Sequence, residues 1–197
     1  MARVAHPIEV QSMGILRARY DFGRFAALSR AVAERVCHAS ADLSFADSLV
    51  LDEEALRAGR DALRAGAPIY ADARMVAAGI TSREVVVPLG DPRVTPLARE
   101  LGTTRSAAAM RLAVGEAPAG AVWVVGNAPT ALLQLLETPP ASPALIVGLP
   151  VGFVGAAESK AALAASGLPC VANRGERGGS AVAVAAVNAL LYAEDDR

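Results

Sequence analysis

Apolar positions fall into two rhythms along this chain. In the first half they follow a helical period. Phe22, Phe25, Leu28, Val32 and Val36 recur at steps of three and four, with Arg24, Arg30, Glu34 and Arg35 on the other faces. That spacing predicts an amphipathic helix, capped by Asp21 and running into Cys37-His38-Ala39-Ser40. A second helix is expected over residues 52–65, with Asp52 as its cap and Gly66 as its stop. The pieces then shorten. Residues 68–71 read as a strand, Asp72 as the cap of a helix holding Met75 and Val76, and Gly79 as the end of that helix. Residues 85–87 read as another short strand, and residues 95–101 as a short helix ended by Gly102. Thr103 or Thr104 can cap a further helix through Ser106, Ala109, Met110 and Leu112.

The second half alternates apolar runs with turns. Strands are expected at residues 121–125, 144–148 and 169–172, each followed by a Gly- or Pro-containing loop and a helix (130–136, 156–166 and 180–192). Three successive strand-loop-helix units predict a three-layer α/β/α fold with a largely parallel central sheet. One domain spanning residues 1–197 is expected, with an ordered core at about 8–192 and a frayed polar end at Glu194-Asp195-Asp196-Arg197.

Composition sharpens this picture. Between Ala117 and Ala157 one residue, Glu137, is charged, and from Gly178 to Ala193 none is. A spanning helix needs about 20 apolar residues without repeated breakers. Here Pro118, Gly120, Gly126 and Pro129 break the first stretch, and Pro139, Pro140, Pro143, Gly148, Pro150, Gly152 and Gly155 the second. Strands covered on both faces explain the same composition, so no membrane role is expected. The start, MARVAHPIEVQSMG, shows no apolar signal-peptide core. With 53% apolar residues and a formal net charge of -1 the chain is neither disordered nor basic enough overall for nucleic acid. Two cysteines, Cys37 and Cys170, fit a reducing, cytoplasmic setting rather than a disulfide framework.

In open α/β sheets ligands bind beyond the carboxyl ends of the strands. Those ends carry Gly126-Asn127, the run from Gly152 to Gly155, and the run from Arg174 to Ser180. Each precedes a helix N-terminus, whose free N–H groups favour anions, so Asn127, Gly152, Gly155, Arg174 and Ser180 are candidate binding positions for an anionic ligand. No P-loop, no dinucleotide fingerprint and no nucleophile elbow occurs. With His6 and His38 as the only histidines, no metal site is expected. His38 ends an amphipathic helix close to Ser40 and Asp42, and a nearby carboxylate could fix its tautomer; the plainer alternative is a capping or core histidine. Arg105 opens a helix and suits bidentate carboxylate binding, or else an ion pair with Glu100 or Glu116. Lys160 reads as an exposed helix residue near Glu158, His6 as a surface residue, and Arg177 as part of a solvated loop.

Several strings stand in order along the chain: Arg35-Val36-Cys37-His38-Ala39-Ser40-Ala41-Asp42; Ala65-Gly66-Ala67-Pro68-Ile69 with Asp72 and Met75-Val76; and Thr104-Arg105-Ser106-Ala107-Ala108-Ala109. Gly126-Asn127-Ala128-Pro129-Thr130-Ala131-Leu132 follows. Then come Pro150-Val151-Gly152-Phe153-Val154-Gly155-Ala156-Ala157-Glu158-Ser159-Lys160, and Arg174-Gly175 with Gly178-Gly179-Ser180-Ala181. In order and spacing, from about Ser12 to Leu191, this set resembles the precorrin-8X methylmutases, the precorrin isomerases of cobalamin biosynthesis. The resemblance implies a cytoplasmic α/β/α homodimer that uses no cofactor and binds a tetrapyrrole, precorrin-8X or its cobalt analogue. It implies migration of a methyl group from C11 to C12, giving hydrogenobyrinic acid or cobyrinate by an acid-assisted [1,5]-sigmatropic shift. It implies His38 as the catalytic acid, with Ser12, Thr81 and Arg105 as supporting substrate-binding residues. Several members carry more residues after Arg105 and around 137–143 than this chain does. A tetrapyrrole-binding or product-sequestering protein without turnover is the alternative within the resemblance. An unrelated α/β enzyme acting on a phosphorylated metabolite is the alternative outside it.

Overall fold

Four-residue apolar runs form the centre of the sheet because helices cover both of its faces. A computed structural model describes residues 6–193; the polar end expected at 194–197 and the first part of the N-terminal stretch lie outside that range. In chain order the elements are α1 (Pro7–Arg19), α2 (Ala27–Ser40), α3 (Ser44–Ser48), β1 (Leu49–Leu51), α4 (Glu53–Arg64), β2 (Ile69–Ala71), α5 (Arg74–Gly79) and β3 (Val85–Val86). A single 3-10 turn follows at Pro88–Gly90. Then come α6 (Val94–Glu100), α7 (Arg105–Glu116), β4 (Val122–Val125), α8 (Pro129–Glu137), β5 (Leu145–Gly148), α9 (Ala156–Ala165), β6 (Cys170–Asn173) and α10 (Ser180–Leu191).

The six strands among the described residues run in the order β1-β6-β5-β4-β2-β3. All neighbours are parallel except β1, which pairs antiparallel with β6, Leu49 opposite Asn173. Alternation along the strands feeds two cores. Val122 and Val124 of β4, with Leu145 and Val147 of β5, pack under α2, α4, α5 and α10. Trp123, Val125 and Ile146 face α7, α8 and α9. Each such side chain contributes about 1.5–3 kcal/mol when fully buried, so neither face tolerates charge, and the composition follows. The α/β/α architecture expected from the repeated units is thus present. An outer helix, α1, is added against α2.

Three local expectations are corrected. The helix expected from residue 22 begins at Ala27. Asp21 closes a turn instead, its Oδ1 accepting from the Gly23 N–H at 2.8 Å. The free N–H groups of Leu28 and Ser29 donate to the Glu53 carboxylate of α4, at 2.8 and 2.9 Å. Asp72 does not cap α5, whose cap position is Ala73. The third correction is of omission: α1, α3 and β1 lie in stretches with no expected element. Asp52 and Thr104 do cap α4 and α7, accepting from Ala55 and Ala107.

Candidate active site

The carboxyl rim of β2, β4, β5 and β6 collects most of the candidate residues. Asn127 follows β4, Gly152 and Gly155 follow β5, and Arg174 and Ser180 follow β6. Asp72 shapes the first of these loops. It is buried beyond the end of β2, and its carboxylate accepts from the backbone N–H of Gly126, Asn127 and Ala128 at 3.0, 2.9 and 2.7 Å. Burial lifts its pKa above the ordinary carboxylate value, with those three N–H groups pulling the other way. Gly126 lies so close to Ser180 that a Cβ there would meet the Ser180 Cα at 3.0 Å, which brings the turn after β4 against the start of α10.

Arg105, the first residue of α7, faces the same rim. It lines a cavity of about 440 Å³ with Ala73, Met75, Leu89, Gly90 and Asn127. Neither Glu100 nor Glu116 pairs with it. Glu116 is taken by Arg93 at 2.6 Å, and the Arg105 guanidinium donates to the Leu89 carbonyl at 3.3 Å. It is exposed and keeps donors for a ligand. The loop after β5 presents Phe153 and Val154, 90% and 88% exposed, between two glycines with φ of 154° and 76°. Arg174 is tied by its main chain to Ser48 at 2.9 Å and by its guanidinium to the Asp47 carbonyl at 3.3 Å.

His38 stands at the end of α2, on the flank of this rim. Its Nδ1 lies 3.1 Å from the Ser12 hydroxyl of α1. The pair lines a hollow of about 160 Å³ with Ile15, Arg19, Ala41 and Leu43. Asp42 does not orient the ring. It accepts from the Ser44 main chain and hydroxyl and from Arg177, and these bonds hold its carboxyl below the ordinary range, the Ser44 hydroxyl most of all. A serine hydroxyl donating to Nδ1 would leave Nε2 as the ring nitrogen that carries the proton. Cys37, beside His38, is no nucleophile: burial pushes its thiol up to about 11.

Thr81 is not brought to this rim. It follows α5 and precedes β3, whose Val85 is in register with Ile69 at the start of β2. It is therefore exposed at the amino end of the sheet, next to Arg83, which donates to the Leu63 and Ala67 carbonyls. His6 is a surface residue whose Nδ1 accepts from the Ile8 N–H at 3.3 Å. Lys160 is not exposed. It is 1% exposed, and its Nζ donates to Asn173 Oδ1 and the Arg177 carbonyl at 3.1 and 2.5 Å. Helical spacing places it on the stripe of Ala156, Ser159 and Leu163, all buried, and that stripe was the available signal. Arg177 is exposed in its loop as expected, and its guanidinium also binds Asp42 and Ser44 and lies over the Phe45 ring. Among the described residues no helix is long and apolar enough to cross a membrane, and no three potential ligands are grouped to hold a metal ion.

An imidazole, an exposed arginine and helix N-termini stand around the strand-end rim of an α/β fold, an arrangement able to receive an anionic ligand. A profile of the precorrin-8X methylmutase family matches residues 7–193. The chain is 45% identical over 199 residues to a precorrin-8X methylmutase of Sinorhizobium sp., covering 95% of this chain and 94% of that one. It is 49% identical over 191 residues to the Pseudomonas aeruginosa precorrin-8X methylmutase, with 91% of each covered. It is 44% identical over 185 residues to the cobalt-precorrin-8 methylmutase of Salmonella typhimurium, covering 90% and 88%. The crystal structure of the precorrin-8X methylmutase from Thermus thermophilus superposes with a TM-score of 0.83 at 39% identity, covering 93% of both chains. The chain belongs to the precorrin-8X methylmutase family, methyl-shifting isomerases of cobalamin biosynthesis.

Proposed function

We propose that this chain isomerises precorrin-8X, or its cobalt form, by moving the methyl group from C11 to C12 of the macrocycle, with His38 as the acid. The observation that carries this reading is the His38 ring, held by Ser12 at a small hollow on the flank of an anion-receptive rim. The shift breaks the C11–methyl bond and forms the C12–methyl bond, so it needs no nucleophile. A proton delivered from the imidazole to a ring nitrogen draws electron density from the migrating centre and returns to the imidazole afterwards. Histidine suits a proton that must be given and regained near neutral pH. Arg105, Arg174 and the N–H groups around Asn127, Gly152, Gly155 and Ser180 would hold the peripheral carboxylates.

The test is direct. Mixing the protein with precorrin-8X should convert its absorbance spectrum to that of hydrogenobyrinic acid with multiple turnovers. A stoichiometric spectral shift without conversion would overturn the proposal and leave a sequestering protein. Arg105→Lys, which keeps the charge and loses the planar fork, is expected to raise KM about tenfold, equivalent to about 1.4 kcal/mol.

The reading includes a cytoplasmic homodimer, consistent with two free thiols. Ile8, Val10 and Ile15 of α1 are exposed apolar residues, and Ile15 lines the His38 hollow, a pattern that favours a protein partner. Thr81 and His38 lie at opposite ends of the sheet, so one ligand could touch both only if a second copy supplied one of them. Light scattering should give twice the 20.1 kDa chain mass; a value of one chain mass would exclude the dimer.

A further inference from the structure

Lys160 lies in the second turn of α9, and its ammonium is buried with no carboxylate among its partners. Burial, aided by the charge of Arg177, pushes its pKa down to about 8. The α9 N-terminus adds positive potential on the same side. An apolar residue would fill this place more cheaply, so the charge calls for a reason. The loop over residues 174–179 supplies one, because it fastens the separate parts of the rim together. Its Glu176 carbonyl accepts from the Gly152 N–H at 3.1 Å, and its Gly179 N–H donates to the Leu149 carbonyl at 2.8 Å. Gly178 crosses the backbone of Leu149 and Pro150 so closely that a Cβ would collide with both carbonyl oxygens. On the other flank Arg177 reaches Asp42 and Ser44, directly after the helix that carries His38. Beneath the loop, Asn173 Nδ2 donates to the Arg174 and Arg177 carbonyls at 3.2 and 2.9 Å, and Lys160 binds both Asn173 and the Arg177 carbonyl.

We propose that Lys160 is a positioning residue: its buried ammonium, with Asn173, holds the Arg177 carbonyl and so fixes the 174–179 loop that joins the Gly152 loop to the His38 turn. This rests on the functional reading above, since the loop matters as the part that sets the substrate rim. Lys160→Met removes the donors at nearly constant length. It is expected to fold with an unfolding temperature a few degrees below that of the parent, since the buried Asn173 Oδ1 loses its donor, and to raise KM for precorrin-8X about tenfold with little change in kcat, the signature of lost binding rather than lost chemistry. Combined with Arg177→Ala it should cost less than the sum of the two single changes, because both act through one loop. Amide exchange at residues 178–180 should quicken in Lys160→Met.

Unchanged KM and kcat in a folded Lys160→Met, or additive costs in the pair, would overturn the proposal. If Lys160→Met fails to fold, Lys160→Leu, which likewise cannot donate to a carbonyl, is read in the same way. Failure of both to fold would also overturn it, since Lys160 would then be holding the fold and not one loop. A parent protein without turnover would overturn the functional reading alone, and the exchange measurement would still decide the loop.

Discussion

His38→Ala is expected to lower kcat for methyl migration by about 10²–10⁴-fold, the range that a positioned acid contributes. The change should leave the fold intact. The ring lies in the last turn of α2 and makes one side-chain hydrogen bond, to Ser12. The helix is secured elsewhere, by Glu53 at its start and by Val32, Ala33 and Val36 in the core. KM should therefore move little and the unfolding temperature by a few degrees at most. His38→Asn separates orientation from acidity: it can keep a hydrogen bond to Ser12 but cannot give up a proton, so it should be as slow as His38→Ala. Ser12→Ala should cost less than either, because the ring loses its tether and not its chemistry. A rate left intact by both His38 changes would show that the ring nitrogen takes its proton from water or another acid.

Where physics is local, the chain was easy to read. Buried parallel strands need apolar residues on both faces, so β4, β5 and β6 appear as continuous runs, and the glycines after them mark turns. The carboxyl rim followed from that order, and Asn127, Gly152, Gly155, Arg174 and Ser180 with it. Capping by Asp52 and Thr104 was legible because the acceptor lies three residues from its donor.

The interactions that shape the rim span longer separations. Glu53 serves the start of α2 from α4, and Arg177 reaches back to the turn after α2. A pattern of nearest neighbours does not contain them. Aspartate before a helix is usually its cap, but the sheet carries Asp72 to the turn after the neighbouring strand. Lys160 departs from expectation for the opposite reason. Its position on the buried stripe of α9 was visible, but lysine is almost never fully buried without a partner, and its partners lie across a strand and a loop. Thr81 shows where one chain ends as a guide, since its distance from the rim is set by the direction of α5 and β3 and not by the motif around it.

Asp72→Ala tests the most consequential of these long connections. The carboxylate satisfies three backbone N–H groups, and Gly126, the innermost, is buried. Leaving a buried donor unmade costs about 1–3 kcal/mol. Gly126 bears that in full, and Asn127 and Ala128, nearer to solvent, recover part of it. The expected loss is about 2–5 kcal/mol in urea unfolding, a large part of the ~5–15 kcal/mol that holds a typical domain. Near the transition this corresponds to a fall of about 5–15 °C in the unfolding temperature for a chain of this length. Asp72→Asn should fare little better. Gly126 is served by one oxygen and Asn127 and Ala128 by the other, so an amide would set its NH₂ against at least one N–H. Because burial already opposes the charged carboxylate, the penalty lies at the low end if water enters the space it leaves. Both variants should also raise KM, since the 126–128 turn places Asn127 in the cavity that Arg105 lines. A loss below about 1 kcal/mol in both would mean that these amides find other partners, and that the turn is held by the strands alone.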